Sequence, residues 1–390
     1  MITDTLPKIF TSLYRQPIFS NKRFILPIIL MACLLYPPLR QISITAMSDA
    51  FFQVSVFVAA TLFIYYFLIE KLPQLELAYL NAKSPLLELS FAAFLGALPG
   101  CGGAIIVVTQ FTKGQASFGS VVAVLTATMG DAAFLLIATQ PLDGLKMMCI
   151  GLIVGVVSGY LVNILHKRDF LVPPRQQPQD TCNLHSNKAI VFSKSIWKVI
   201  LVPSIIIAIL MAFNIDLNQL GITVNYTITA FGAAMALFAV ITWALSSKGQ
   251  SYQEITSEEE SPKPPSKLYK VLQDTHFVTA WVVASFMLFE ILIVFTGIEL
   301  KEWFSHFAYL APLIAVIIGF LPGCGPQIVV TTLYIQGIIP FSALAANAIS
   351  NDGDALFPAI AMAPKAALIA TLYSAIPALF IGYGLYFYGI

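Results

Sequence analysis

Long apolar runs separated by short polar interruptions dominate the chain. Runs near 20 residues, long enough to cross a bilayer core as helices, fall at 24–40, 50–69, 86–112, 117–139, 143–165, 196–214, 224–246, 276–298, 308–336, 341–362 and 366–388. Two polar stretches, 166–188 and 246–267, break the series. Both are rich in Pro, Ser, Gln and charge, so they read as loops or spacers. The pattern predicts an all-α polytopic membrane protein. Its expected parts are an amphipathic arm (1–23), a first transmembrane repeat (24–165), a cytoplasmic linker (166–195), connecting spans (196–246), a second cytoplasmic linker (247–272) and a second transmembrane repeat (273–390). The run at 24–40 follows Lys8, Arg15, Lys22 and Arg23, lacks a small-residue cleavage site and ends in Pro-Pro, so it reads as a retained span.

Two of the runs break themselves in the same way. "LPGCGG" occupies 98–103 and "LPGCGP" occupies 321–326. A shift of 223 positions lays 98–141 on 321–364 without a gap, with 18 of 44 residues identical. The identities include Pro-Gly-Cys-Gly, "GDAAF" at 130–134 against "GDALF" at 353–357, and Pro141 against Pro364. Chance similarity between apolar segments would match Leu, Ile and Ala instead, so the two stretches are copies of one structural unit.

Charge then orients the copies. If each PGCG segment is a re-entrant hairpin and the N-terminus is cytoplasmic, 18 of the 21 Lys and Arg fall on the cytoplasmic side. Only Arg40, Lys146 and Lys301 fall outside. If the segments are full spans, the split is close to even, which violates the positive-inside bias. The hairpin arrangement puts an odd number of crossings between equivalent points. The repeats are therefore expected to be inverted, a design of secondary transporters, with a periplasmic C-terminus.

The candidate chemistry gathers at these breaks. At the tips, Gly100, Cys101, Gly102 and Gly323, Cys324, Gly325 offer close backbone approach, thiols and the free N–H groups of restarting helices. Non-helical backbone at membrane depth persists only inside protein or along a cavity. Asp131 and Asp354, each after a glycine, are carboxyls at membrane depth, where such groups are costly and functional. The second copy adds Asn351 and Asp352, and the rising arms carry Thr109 and Thr332. These twelve residues form the expected substrate site, with Cys101, Cys324, Asp131, Asp352 and Asp354 as metal ligands. Asp131, Asp354 and the mid-span Glu290 are the expected proton-coupling groups. The four histidines (166, 185, 276, 306) sit singly at predicted membrane edges or in loops, and Cys33, Cys149 and Cys182 read as core or loop residues.

Composition excludes other classes. With 11% charged residues against ~25% in soluble chains, the expected partners are a lipid bilayer and a small ion or small-molecule substrate. A net charge of +1 without a basic aromatic patch gives no reason to expect nucleic acid. Five cysteines without a CxxC pair argue against a disulfide framework or a zinc site. No cofactor and no enzymatic activity are expected, and a homodimer is compatible with the pattern.

LPGCG followed by GD in each half, at 98–102 with 130–131 and at 321–325 with 353–354, resembles a bacterial family described as ten-transmembrane heavy-metal exporters. Its members are also labelled arsenic-efflux-like or manganese transporters. The resemblance covers most of the chain. It implies a multi-pass protein of the bacterial inner membrane that exports a metal or metalloid ion such as manganese or arsenite. Proton coupling and alternating access are the expected mechanism. More distantly, a hairpin followed by a broken helix, twice and inverted, is similar to the ion-transporter superfamily of dicarboxylate and arsenite carriers. Their Ser-Asn-Thr-like tips differ from Pro-Gly-Cys-Gly, so their sodium and carboxylate sites do not transfer. The alternatives are a carrier of a small inorganic or organic anion held at the hairpin helix N-termini, a passive channel and, remotely, an intramembrane aspartyl protease.

Overall fold

The computed structural model of the protein describes residues 22–72, 76–166, 170–172, 188–213, 222–246, 267–296, 308–321, 323–356, 359–360 and 363–389. Residues 1–21 of the expected arm (1–23) and most of both linkers lie outside the described residues. Among those described, the regular elements are helical, and seven helical stretches, counting Phe118–Thr139 across its interruption, are long and apolar enough to cross a membrane. The chain is a polytopic all-α membrane protein.

The first elements depart from the hydropathy pattern. α1 (Ile25–Leu35) ends at Tyr36, and Pro37 starts α2, which runs through Pro37–Asp49, a π-helical stretch Ala50–Ser55 and Val56–Lys71. Proline is favoured in the first turn of a helix, where its missing N–H has no intrahelical partner. Pro37-Pro38 therefore opens the next helix instead of closing a span at 40. α1 alone, at 11 residues, is about 16 Å long, roughly half a bilayer core.

α3 (Leu77–Lys83) leads into the first broken pair, α4 (Pro85–Ala97) and α5 (Gly102–Thr112), interrupted at 98–101. A second broken pair follows, α6 (Phe118–Ala127) and α7 (Ala132–Thr139), interrupted at Thr128–Asp131. α8 (Pro141–Leu165), α9 (Lys188–Ala212), α10 (Ile222–Ser246) and α11 (Lys267–Thr296) are long and continuous. The breaks then recur. α12 (Ala311–Gly319) and α13 (Cys324–Ile335) flank the second PGCG, and α14 (Phe341–Ser350) leads to a 3-10 turn, Gly353–Ala355, before α15 (Pro364–Phe387).

Backbone geometry repeats with the sequence. Gly100, Gly114 and Gly130 have φ of 94°, 70° and 51°; Gly323, Gly337 and Gly353 have 109°, 71° and 57°. Packing repeats too. α6 packs between α4 and α8, as α14 packs between α12 and α15. The second arm of each PGCG pair packs at the break of the other copy: α13 lies on α7, the helix that follows the first interruption, and α5 lies on the turn Gly353–Ala355.

α2 and α11 pack against each other. Tyr66 Oη donates to Asp274 Oδ2 at 3.1 Å, and Thr279 Oγ1 donates to Ser55 Oγ at 2.7 Å. Asp49 lies within electrostatic reach of Glu290. The pairs 66–274 and 55–279 run in opposite order along the two helices, as does the electrostatic pair 49–290, so α2 and α11 are antiparallel.

Glycines let α8 approach α6 closely. A Cβ built on Gly155 would lie 2.6 Å from Ala123 O, and one on Gly159 2.6 Å from Gly119 O. Small residues four apart let backbones approach where lipid offers no hydrophobic drive. The start of α6, which carries the chain toward its interruption, is fixed by the fully buried Glu88. Its Oε1 accepts from Ser117 N (2.7 Å) and Ser120 Oγ (2.8 Å), and its Oε2 accepts from Asn81 Nδ2. Glu88 thereby satisfies a helix-start donor that would otherwise be orphaned.

Candidate functional site

Both tips end at one point. Cys101 is the residue before α5, and Cys324 opens α13. Their sulfurs are 3.3 Å apart, one thiol donating to the other, across a separation of 223 residues. That separation is the repeat shift itself, so a residue here touches its own counterpart. Both cysteines are buried. The carboxyl of Asp131 joins them: one ligand atom each from Cys101, Asp131 and Cys324 lie within 4.8 Å of one another.

The two glycine breaks form the walls. A Cβ built on Gly130 would fall 2.7 Å from Cys324 Sγ and 3.3 Å from Cys101 Sγ; on Gly353 the distances are 3.4 Å to Cys101 Sγ and 3.7 Å to Cys324 Sγ. Each glycine therefore faces both sulfurs. Their turns are built alike from different residues: Gly130 N donates to Thr128 Oγ1 at 3.3 Å, and Gly353 N donates to Asn351 Oδ1 at 2.8 Å. The first tip is tied to its break by Gly100 N donating to Gly130 O at 3.0 Å.

The remaining expected site residues separate into several groups. Gly102 packs on α2, where a Cβ would lie 1.9 Å from Thr61 Oγ1, so its smallness serves helix contact. Gly325 is half-buried in the first turn of α13. Thr109 is buried on α5. Thr332 donates to Ile328 O of its own helix at 2.8 Å, whereas the neighbouring Thr331 is fully buried with no partner for Oγ1 among the described residues. Asn351 is engaged at both ends of its amide: Oδ1 holds the glycine turn, and Nδ2 donates to Gly319 O (3.3 Å) and Leu321 O (3.4 Å) at the end of α12. Asp352 points to α15, accepting from Thr371 Oγ1, and its Oδ1 has no partner among the described residues. Asp354 lies in the 3-10 turn, and its side chain is outside the described residues. Glu290 is half-buried against α2, near Asp49.

Two further polar groups are not anticipated from the pattern. Gln327, one turn into α13, is fully buried, and a Cβ on Gly130 would lie 3.5 Å from its Oε1. His276 is not at an edge. α11 begins at Lys267, inside the stretch read as linker, which places His276 well within the helix. It is 1% exposed, accepts from Trp197 Nε1 at Nε2 (3.1 Å) and lies 3.0 Å from Ser193 Oγ. His166, at the end of α8, stacks on Phe170 at 3.9 Å and bonds Tyr373 Oη at 2.7 Å. His185, His306 and Cys182 lie outside the described residues, and Cys149 is exposed on α8.

Two buried thiols and a carboxyl, collected from two copies of one broken-helix unit inside a bundle of apolar helices, mark a polytopic membrane protein with a candidate metal centre. Residues 38–389 match the family model described as "Putative, 10TM heavy-metal exporter". The chain belongs to this family. No curated protein and no solved structure matches it significantly.

Proposed function

We propose that the protein is a secondary active transporter that exports a thiophilic metal or metalloid ion by alternating access between two inverted repeats. The observation that carries this reading is the pair of counterpart cysteines, 3.3 Å apart beside Asp131. Thiolates select soft centres over hard oxygen-seeking ions, so the donor set favours arsenite or a soft cation over manganese. A pair of helix N-termini holding an anion would not need two sulfurs between them, nor would a pair of catalytic aspartates.

Inversion is supported by the antiparallel run of α2 and α11 and by the exchange of packing partners between copies. A site on the axis relating two copies can open to either side when one copy rocks against the other. The centre is closed in this structure: Cys101 is 3% exposed and Cys324 0%, which suits an occluded state between the two openings. The arms 85–112 and 311–335 would be the re-entrant hairpins, with both linkers and the N-terminus cytoplasmic and the C-terminus periplasmic.

Coupling is assigned to the carboxyls of Asp131, Asp354 and Glu290. Asp131 shares the centre with the thiols, so a proton and the cargo compete for one place, which is what exchange requires. Proteoliposomes loaded with arsenite and given an imposed pH gradient test this. Wild-type efflux should rise with the gradient. Asp131→Asn, which keeps the shape but cannot exchange a proton, should leave efflux slow and indifferent to it. Wild-type gradient dependence in Asp131→Asn would rule out this coupling route.

A further inference from the structure

We infer that Gln327 is the residue that recognises a hydroxyl group on the cargo, so that the transported species is a hydroxylated soft centre and not a bare ion. The inference rests on the dithiol reading above and adds what that reading lacks, a polar contact specific to one of the two copies.

Gln327 is 0% exposed, and neither its Oε1 nor its Nε2 has a hydrogen-bond partner among the described residues. Buried amides left this way cost about 1–3 kcal/mol for each unmet group, and native chains leave few of them. Its position makes the exception meaningful. Oε1 lies 3.5 Å from a point, the built Cβ of Gly130, that is itself 2.7 Å from Cys324 Sγ and 3.3 Å from Cys101 Sγ. The amide is therefore aimed at the space beside the sulfurs. Its counterpart in the first copy is Ala104, so the centre is two-fold in its sulfurs and one-sided in its amide.

A primary amide presents both a donor and an acceptor. A bare cation could satisfy Oε1 only and would leave the N–H groups of Nε2 unmet. A hydroxyl can serve either end, accepting from Nε2 and donating to Oε1. The dithiol chemistry leaves one such group on a trivalent hydroxide. M(OH)3 reacts with the two thiols to give a dithiolate M–OH and two waters. Two M–S bonds form and two M–O bonds break, each thiol proton leaves with a hydroxyl as water, and no electrons are transferred. The single remaining hydroxyl is the group that Gln327 is placed to hold.

Two matched probes separate this from the dithiol reading. Arsenous acid condenses with two thiols and keeps one hydroxyl. Monomethylarsonous acid condenses with the same two thiols and keeps a methyl of similar size instead. Affinities for both are to be measured on the purified full-length protein by thermal shift, in wild type, Gln327→Met and the double variant Cys101→Ser/Cys324→Ser. In Gln327→Met the hydroxyl-to-methyl affinity ratio should fall at least about 10-fold, because an unmet buried polar group costs on the order of 1–3 kcal/mol, while the affinity for the methyl probe holds. An unchanged ratio overturns the role of Gln327 and leaves the dithiol centre standing. Equal loss of both probes in Gln327→Met also overturns it, since the residue would then support the fold and not the hydroxyl. Undiminished binding of both probes by the double cysteine variant would remove the centre itself.

Discussion

Gly130→Ala is expected to abolish cargo binding in a protein that still folds, and Gly353→Ala is expected to do much less. Both glycines sit in the left-handed region, with φ of 51° and 57°, so alanine costs each roughly 1–2 kcal/mol of backbone strain. That is a small part of the ~5–15 kcal/mol that typically holds a domain together. The difference lies in what the new methyl meets. On Gly130 it would stand 2.7 Å from Cys324 Sγ and 3.3 Å from Cys101 Sγ, well inside contact distance, and would fill the notch between the sulfurs. On Gly353 the same distances are 3.4 Å and 3.7 Å, ordinary contacts. Thermal shifts with arsenite across the two variants, at matched expression, should show no stabilisation for Gly130→Ala and clear stabilisation for Gly353→Ala. Equal behaviour would mean that the notch is not where cargo sits.

The residues that cluster at the candidate centre are legible in the sequence. The tip motif and the Gly-Asp break each occur twice, and a duplicated Pro-Gly-Cys-Gly has no hydrophobic explanation, so Cys101, Cys324 and Asp131 stood out together. That the thiols would touch each other was not legible, because register between two broken segments 223 residues apart is set by packing. Gln327 was hidden for a different reason. A single amide in "CGPQIVV" resembles any polar residue on a helix; the signal was its mismatch with Ala104, the same kind of asymmetry that drew attention to Asp352. Thr331 and Thr332 stand side by side on the arm that repeats Thr109; Thr332 Oγ1 donates to its own helix at Ile328 O, while Thr331 Oγ1 is buried with no partner among the described residues. Asn351 looked like a ligand because it stands beside the break; the structure engages it as a strut between that break and α12. His276 was misplaced at an edge because hydropathy sees only the apolar part of α11. Asp274, paired with Tyr66, lets the helix continue past that part while staying buried.

The second large effect concerns the thiols themselves. Cys101→Ser and Cys324→Ser should each eliminate transport of a thiophilic cargo. Serine keeps nearly the same shape but replaces a soft sulfur with a hard oxygen. Even supporting residues around a metal site cost roughly 10–100-fold in affinity when removed, so loss of one of two sulfurs should cost at least about 100-fold. Because the two cysteines are counterparts at one point, the two variants should be equally impaired. Both should still reach the membrane, since each side chain is small. Efflux of arsenite from proteoliposomes is the readout, and strong activity in either variant would contradict a shared dithiol.

The central claim is that the two tips meet and that cargo sits on their sulfurs. It is tested most directly by oxidative cross-linking of the pair. In a chain with Cys33, Cys149 and Cys182 replaced by serine and a protease site inserted in the polar stretch 247–266, hydrogen peroxide should join Cys101 to Cys324, with two waters formed. After cleavage the halves should migrate as one species until reduced, and arsenite added beforehand should block the cross-link. Halves that separate after oxidation, or a cross-link that forms equally well in the presence of arsenite, would contradict the account.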